Sequence, residues 1–534
     1  MADRSRASLA LQLSLFRLQK TEIRRALAGT SRAFQDYEAR YHRATASFQR
    51  PVTRDSLDHE LHQADVVMVG DYHTLRLAQA TYVDLVRTAV RSGRRVVIAL
   101  EFVEGRHQHH IDDYLKGKTT DREFLDAIGH PYRAAFDVWP GFKPIFELAK
   151  DKKLEVKAID LRASGARSLD RRDEYAAKQI AKASRGKDRP LVMVLIGQYH
   201  IAPAHLPRRL AGKVPRARQL LIFQNAEGVY WRLARQGRIG EVEVVRIDDR
   251  CRCVINTSPV VCQQSFLDYV EAESGDAPLD ERRATQTFKR LARLIAGELD
   301  TGIEKALEEV LVFTPGGLGR LSESLEQRGD FEQRELSEIR RYVLERESAY
   351  VPGARLAYLA SLSLNHAAEE AAHFVRHVCV GPAMDAPRTY EEAFYARCLE
   401  EALGFVGSRL VNPARKCTRL EAWRDLYNSG EPGAKKIAAY VLALSSLGGE
   451  GPKAARPLLP LGDETLFHAV SHALGYLMGD ALWRAYQSGK LHRTELQSLF
   501  KDPFKHAAER YFALTARLQK QLHEPAAKKH KRAA

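Results

Sequence analysis

Two four-residue stretches, Gly70-Asp71-Tyr72-His73 and Gly197-Gln198-Tyr199-His200, each place a histidine just past an apolar run, "VVMV" and "LVMVLI". A third run, "VVIALE", ends on Glu101, where a carboxylate closing a buried strand is costly unless it is paired or coordinated. Two imidazoles and one carboxylate suit three kinds of chemistry. They can hold a divalent metal ion (Zn, Mn or Fe) with a position left open for water. Without metal, the carboxylate can orient an imidazole as general base in ester or amide hydrolysis. Tyr72, Tyr199 or a histidine can ligate haem iron. Gly70 and Gly197 would let the backbone turn sharply and leave room for a ligand. The bland alternative is that each histidine caps its strand and bonds a nearby carbonyl.

The surrounding pattern says how these residues could meet. Short, largely apolar runs, "VVMVG" (66–70), "RVVIALE" (95–101), "EVKAID" (155–160), "LVMVLIG" (191–197) and "QLLIFQ" (219–224), are separated by helical stretches near 75–92 and 170–184. Such runs are what strands covered on both faces look like, and strands spaced by helices predict a parallel, doubly wound α/β sheet. "EVEVVRI" (241–247) and "RCVINTS" (252–258) are candidates to close it. In an open parallel sheet, ligands bind beyond the carboxyl ends of the strands, so His73, Glu101 and His200 are expected on one rim. Four segments follow: a helical N-terminal extension (1–60), the α/β domain (61–275), an all-helical domain (280–525) and a basic tail (526–534).

At these residues the chain resembles a known group. "GDYH" and "GQYH" with "ALEF" between them look like the Tiki/TraB/erythromycin-esterase superfamily, and within it the ChaN-type haem-binding uptake family. The resemblance runs over about 66–225. It rests on Gly70, Asp71 and His73 followed by Gln79; on Glu101; on "WPGFKP" opening the stretch Trp139 to Asp160; on Arg172-Asp173 heading a helix; and on "GQYHIAPAHLP". It implies haem binding for the α/β domain. For the hydrolytic relatives it implies that His73, Glu101 and His200 hold a metal or activate water, with Arg172 binding an anionic group or pairing with a site carboxylate. A third outcome is a degenerate relative that serves as a protein-interaction module. The first acidic position is Asp71 where Glu is usual, and the family's motif places no haem ligand on this sequence, so Tyr72 and Tyr199 are candidates by position only.

A second candidate lies in the helical half. In "LNHAAEEAAHFVRH", at roughly 100° per residue, His366, Glu370, His373 and His377 share one face, with Glu369 beside them. Glu370-x-x-His373 has the spacing of helical-bundle carboxylate–histidine metal sites. "ETLFHAVSHALGY" adds Glu464, His468 and His472 on one face. The alternatives are a solvated polar stripe, or buried histidines bonded to glutamates.

The bulk properties set limits. A net charge of +15 over 534 residues favours anionic ligands, yet only Lys528 to Arg532 forms a dense basic cluster, so nucleic acid is not expected. No apolar run approaches the ~18 residues that span a bilayer, the N-terminus lacks a signal-peptide pattern, and the first cysteine is Cys251; a cytoplasmic protein is expected. Its partners would be haem, a metal ion or a small anionic ligand, and a homodimer is compatible with them. Six cysteines suggest reduced thiols, and Cys251, Cys253 and Cys262 fit buried thiols better than a metal site.

Overall fold

The structure, a computed structural model, describes residues 2–27, 31–130, 137–165, 167–185, 189–273, 281–328, 331–345, 348–360, 363–447 and 450–523. The basic tail lies outside them. The chain divides into two compact units, Leu13–Asp276, and Met1–Gln12 with Ala277–Ala534.

The elements through the first unit are α1 (Ala2–Ala26), α2 (Arg32–Ala44), β1 (Arg50–Val52), α3 (Arg54–Gln63), β2 (Val66–Asp71), α4 (Arg76–Arg91), β3 (Val96–Glu104), α5 (Gln108–Leu115) and α6 (Asp121–Ala127). They continue with α7 (Trp139–Asp151), β4 (Glu155–Asp160), α8 (Ser168–Ser184), β5 (Leu191–Gly197), α9 (Leu206–Lys213), β6 (Gln219–Gln224), α10 (Glu227–Arg235), β7 (Val244–Arg246), β8 (Cys251–Val254) and α11 (Pro259–Glu273).

Eight strands form one sheet in the order β1-β7-β8-β6-β2-β5-β3-β4. From β8 to β4 every neighbouring pair is parallel, while β7 joins β8 and β1 antiparallel. The fold is the mainly parallel α/β arrangement expected. Every residue of β2 and β6 is buried, which requires cover on both faces and explains the lack of alternation. Val67, Val69, Ile98, Leu100, Met193 and Leu195 share a core with Phe142 and Phe146 of α7. β1 is a correction to the helical reading of 1–60: "RPV" is too short to carry a period, and it pairs with β7 as an edge strand, where proline is tolerated.

The order β2-β5-β3 decides the position of the motifs. β5 lies between the other two, with Asp71 opposite Gly197 and Leu100 opposite Leu195. Three motifs far apart in sequence therefore end on three adjacent strands.

The second unit is helical in the main, as expected, and it also carries a small sheet of β9 (Leu311–Phe313), β10 (Ser348–Val351) and β11 (Leu356–Leu359) in the order β10-β11-β9. Runs of three or four residues fall below what periodicity can reveal. The helix Tyr390–Val411 packs against Leu364–Val380 and Glu464–Gln487, and small residues set the approach. A Cβ on Gly479 would lie 2.7 Å from the Ala402 carbonyl oxygen and 2.9 Å from the Phe405 Cβ. Gly479→Ala should therefore force the two helices apart and cost about 1–3 kcal/mol. Gly297→Ala, where a Cβ meets nothing within 4 Å, should be neutral or stabilising; chemical denaturation of both variants checks the contrast.

Candidate functional site

The rim of the sheet is built around one carboxylate. Glu101 sits near the end of β3 with its side chain 5% exposed. Its Oε1 accepts from Arg172 Nη2 at 2.5 Å, and its Oε2 accepts from the backbone N–H of Gly197 at the end of β5. His73 Nε2 lies 3.5 Å from Oε2, and His200 Nε2 lies 3.5 Å from Oε1. The structure thus brings His73, Glu101, His200 and Arg172 together, from β2, β3, β5 and α8. Burial alone would raise the Glu101 carboxyl, but His200, His73, Arg172 and the Gly197 N–H prevail and hold it down to about 2.

Each imidazole is backed by a second carboxylate. His73 Nδ1 is 2.7 Å from Asp71 Oδ2, and Asp71 is itself fixed by Gln79, whose amide donates to Oδ1 at 2.6 Å and to the Tyr72 carbonyl at 2.9 Å. Gln79 in turn depends on Gly141: a Cβ there would lie 2.7 Å from Gln79 Oε1. The glycine in "WPGF" therefore lets α7 close over the residue that orients Asp71. His200 Nδ1 is 2.6 Å from Asp173 Oδ1, so Asp173 is a partner of the site. Arg172 also donates from Nε to Asp160 Oδ1 at 2.8 Å, tying the end of β4 to the end of β3. Burial raises the Asp160 carboxyl, Arg172 opposes it and Glu101 adds to it.

The two imidazoles differ in access. The His73 side chain is 49% exposed, that of His200 only 6%. Gly197 lies among all three side chains: a Cβ would stand 3.3 Å from Glu101 Oε2, 3.4 Å from His200 Cδ2 and 3.6 Å from His73 Nε2. Gly70 is needed for a different approach, since a Cβ there would meet Gln198 at 3.0 Å.

Tyr72 and Tyr199 do not face this centre. The Tyr72 hydroxyl accepts from Gln198 Nε2 at 3.2 Å, and the Tyr199 hydroxyl donates to Glu38 at 3.0 Å. Burial pushes both phenols well above their usual range, which opposes the tyrosinate that iron ligation requires. Both phenols thus have partners outside the cluster of His73, Glu101 and His200.

Among the described residues, no group of three or more His, Cys, Asp or Glu is arranged to hold a metal ion. At the rim, both Glu101 oxygens are already committed. In the helical unit Glu370 accepts from Ser348 at 2.7 Å, and Glu401 takes Arg397 at 2.5 Å and His472 at 2.9 Å. His468 lies 3.9 Å from Glu464 on its own helix, and half-buried His366 precedes the buried stretch Ala367–Arg376. The stripe is not solvated either: Glu369, Glu370 and His373 are buried. Burial, with Glu369 and Glu401 nearby, pushes the Glu370 carboxyl up to about 8 against the Ser348 hydrogen bond, while burial lowers His373 despite the carboxylates around it. The expectation of a divalent metal at either place gains no support. Cys251, Cys253 and Cys262 are buried free thiols whose burial raises them, Cys253 to about 12. Among the described residues, no helix is long and apolar enough to cross a membrane.

Sequence reasoning missed Asp160 and Tyr37, whose hydroxyl lies 2.9 Å from both Asp173 and His200. Neither belongs to a repeated motif, and Tyr37 comes from a helix far upstream.

For His73, burial works against the charge, but the Asp71 hydrogen bond and the charges of Asp71 and Glu101 outweigh it and raise the imidazole from 6.5 to about 9. With the folded value above the unfolded one, this ion pair stabilises fully below about 6.5 and fades as pH rises toward 9. In NMR, the His73 ring protons should titrate near 9 in the wild type and more than one unit lower in Asp71→Asn; a wild-type midpoint near 6.5 would refute the pairing.

Residues 57–172 match the family model described as haem-binding uptake, Tiki superfamily, ChaN. Among curated proteins, none matches this chain. A solved structure titled "Cofacial heme binding to ChaN of Campylobacter jejuni" aligns over 32% of this chain and 86% of that one, at 13% identity and a TM-score of 0.26. The residues that match this family model, 57–172, hold Asp71, His73, Glu101 and Arg172.

Proposed function

We propose that the α/β unit binds haem at the strand-end rim, with His73 Nε2 as the nitrogen that meets iron. The observation that carries this is a half-exposed imidazole, backed at Nδ1 by a buried carboxylate, inside the segment that matches a haem-binding family. A carboxylate on Nδ1 fixes the tautomer and makes Nε2 a stronger donor. The residues present fit the group in this respect. Beside His73, the Phe142 ring lies 6.4 Å away and stacks on half-buried Phe102 at 4.2 Å, an apolar aromatic flank suited to a porphyrin edge. Bound haem would supply iron, whose redox and ligand chemistry no side chain of the chain offers. His73 would hold the iron, Asp71 and Gln79 would orient His73, and Glu101 would set the charge beside it.

Because His73 holds its proton up to about 9, the iron must displace that proton, so affinity should rise with pH by about tenfold per unit and level off above 9. Titration of the purified chain with hemin should give a Soret band. His73→Ala should weaken binding by at least about tenfold, and Gly197→Ala should weaken it by filling the space between the three side chains. Tyr72→Phe and Tyr199→Phe should leave the band in place. No band at micromolar hemin, or an unchanged affinity in His73→Ala, would sink the proposal.

A second reading has its own support. His200 with Asp173 on Nδ1 has the form of an oriented general base, whereas Glu101, held near 2, is a poor one. Hydrolysis of an ester or amide at this rim would then require His200. Metal-free chain should cleave activated esters above background, and His200→Ala should abolish the excess; no excess in the wild type excludes it.

A further inference from the structure

The segment that matches the family begins at residue 57, yet the site is completed by residues before it. From α2, Tyr41 accepts from Gln198 at 2.6 Å, Glu38 accepts from Tyr199 at 3.0 Å, and Tyr37 reaches His200 and Asp173. Three successive residues of the second Gly-x-Tyr-His motif are thus each held by α2. Tyr37 and Tyr41 are its buried residues, so α2 is anchored largely through these contacts.

Tyr37 makes the tightest arrangement. Its hydroxyl donates to Asp173 Oδ2 at 2.9 Å and lies 2.9 Å from His200 Nδ1, which is 2.6 Å from Asp173 Oδ1. Its ring stacks on His205 at 3.6 Å with planes 7° apart, and His205 is fixed through Nδ1 to the Tyr199 carbonyl at 2.7 Å. The phenol has one proton, and the carboxylate is the stronger acceptor for it. Facing a carboxylate oxygen and a phenol oxygen, His200 Nδ1 must then carry its own proton, because a bare nitrogen would set lone pair against lone pair. Burial, with Asp173 beside it, pushes the Tyr37 phenol up and keeps its proton in place.

We infer that Tyr37 is a positioning residue: with Asp173 it locks His200 with the proton on Nδ1 and Nε2 turned to Glu101, making α2 a working wall of the site. This goes beyond the haem proposal and rests on none of it.

The test needs no ligand. In 15N-histidine-labelled full-length protein, His200 Nδ1 should be protonated, with a downfield Nδ1–H resonance in slow exchange with water. Tyr37→Phe should speed that exchange by roughly tenfold or more and shift the resonance. Tyr41→Phe removes a hydroxyl from the same helix without touching His200 and should leave the resonance unchanged. Equal effects of the two variants would reduce Tyr37 to a helix anchor and overturn the inference. An unprotonated Nδ1 in the wild type would overturn it without any variant, so a Tyr37→Phe chain that fails to fold does not shield it. Hemin titration is a separate readout, and its failure would leave this result standing.

Discussion

A carboxylate at the end of a buried strand cannot stand alone, and much of the α/β unit is arranged around that constraint at Glu101. Its two oxygens meet a guanidinium from α8 and a backbone N–H from β5, and an imidazole stands 3.5 Å from each oxygen. Desolvating an anion is repaid only when several charges and donors converge, and here four groups from the ends of β2 and β5 and from α8 supply them. The repeated Gly-x-Tyr-His then has a physical sense. The two copies end strands on adjacent edges of the same pleat, and their glycines do different work. Gly70 admits Gln198 close to the backbone, while Gly197 leaves the centre of the site free of a methyl group and presents its N–H to Glu101.

The helical unit handles charge by another route. Its interior holds Glu369, Glu370, Glu400, Glu401, Arg376, Arg409 and Arg415, and most are matched one to one. Glu369 faces Arg415 at 2.7 Å, Arg409 faces Asp480 at 2.5 Å, and Glu401 faces Arg397 and His472. Glu370 is the exception, with a serine for a partner and a raised carboxyl. Matched pairs of this kind specify which helix face meets which more than they add to stability. The close seams at Gly404, Gly475 and Gly479 do the rest: a Cβ on Gly404 would stand 2.8 Å from His373 Nε2. What looked like a ligand stripe on the sequence is the polar lining of a packed bundle.

The central strands were legible because they are apolar on both sides, so Leu191–Gly197 and Gln219–Gln224 showed as runs with the real ends, while the runs at 241–247 and 252–258 overshot the short strands Val244–Arg246 and Cys251–Val254. The convergence of His73, Glu101 and His200 followed from strand ends alone. The strand order did not, since nothing in "LVMVLIG" says that it lies between β2 and β3. Partners held through helices were also hidden. Asp173 read only as part of the pair heading a helix, and Tyr37 went unremarked in the helical N-terminal extension, because a side chain's role across 136 residues of chain leaves no periodic trace. The tyrosines share the motif with the histidines, but in the turns past the strand ends they take partners of their own, Gln198 for Tyr72 and Glu38 for Tyr199.

The order β2-β5-β3 also bears on how the protein is made. β2 and β3 follow each other in the chain but share no edge; their common neighbour is synthesised only when residues 191–197 appear. Until then the halves of the parallel core have unpaired flanks, the kind of non-local closure that slows folding and exposes strand edges. A nascent chain ending short of Gly197 has its first two apolar strands and no centre to join them, so their facing edges stay unpaired until that strand is made.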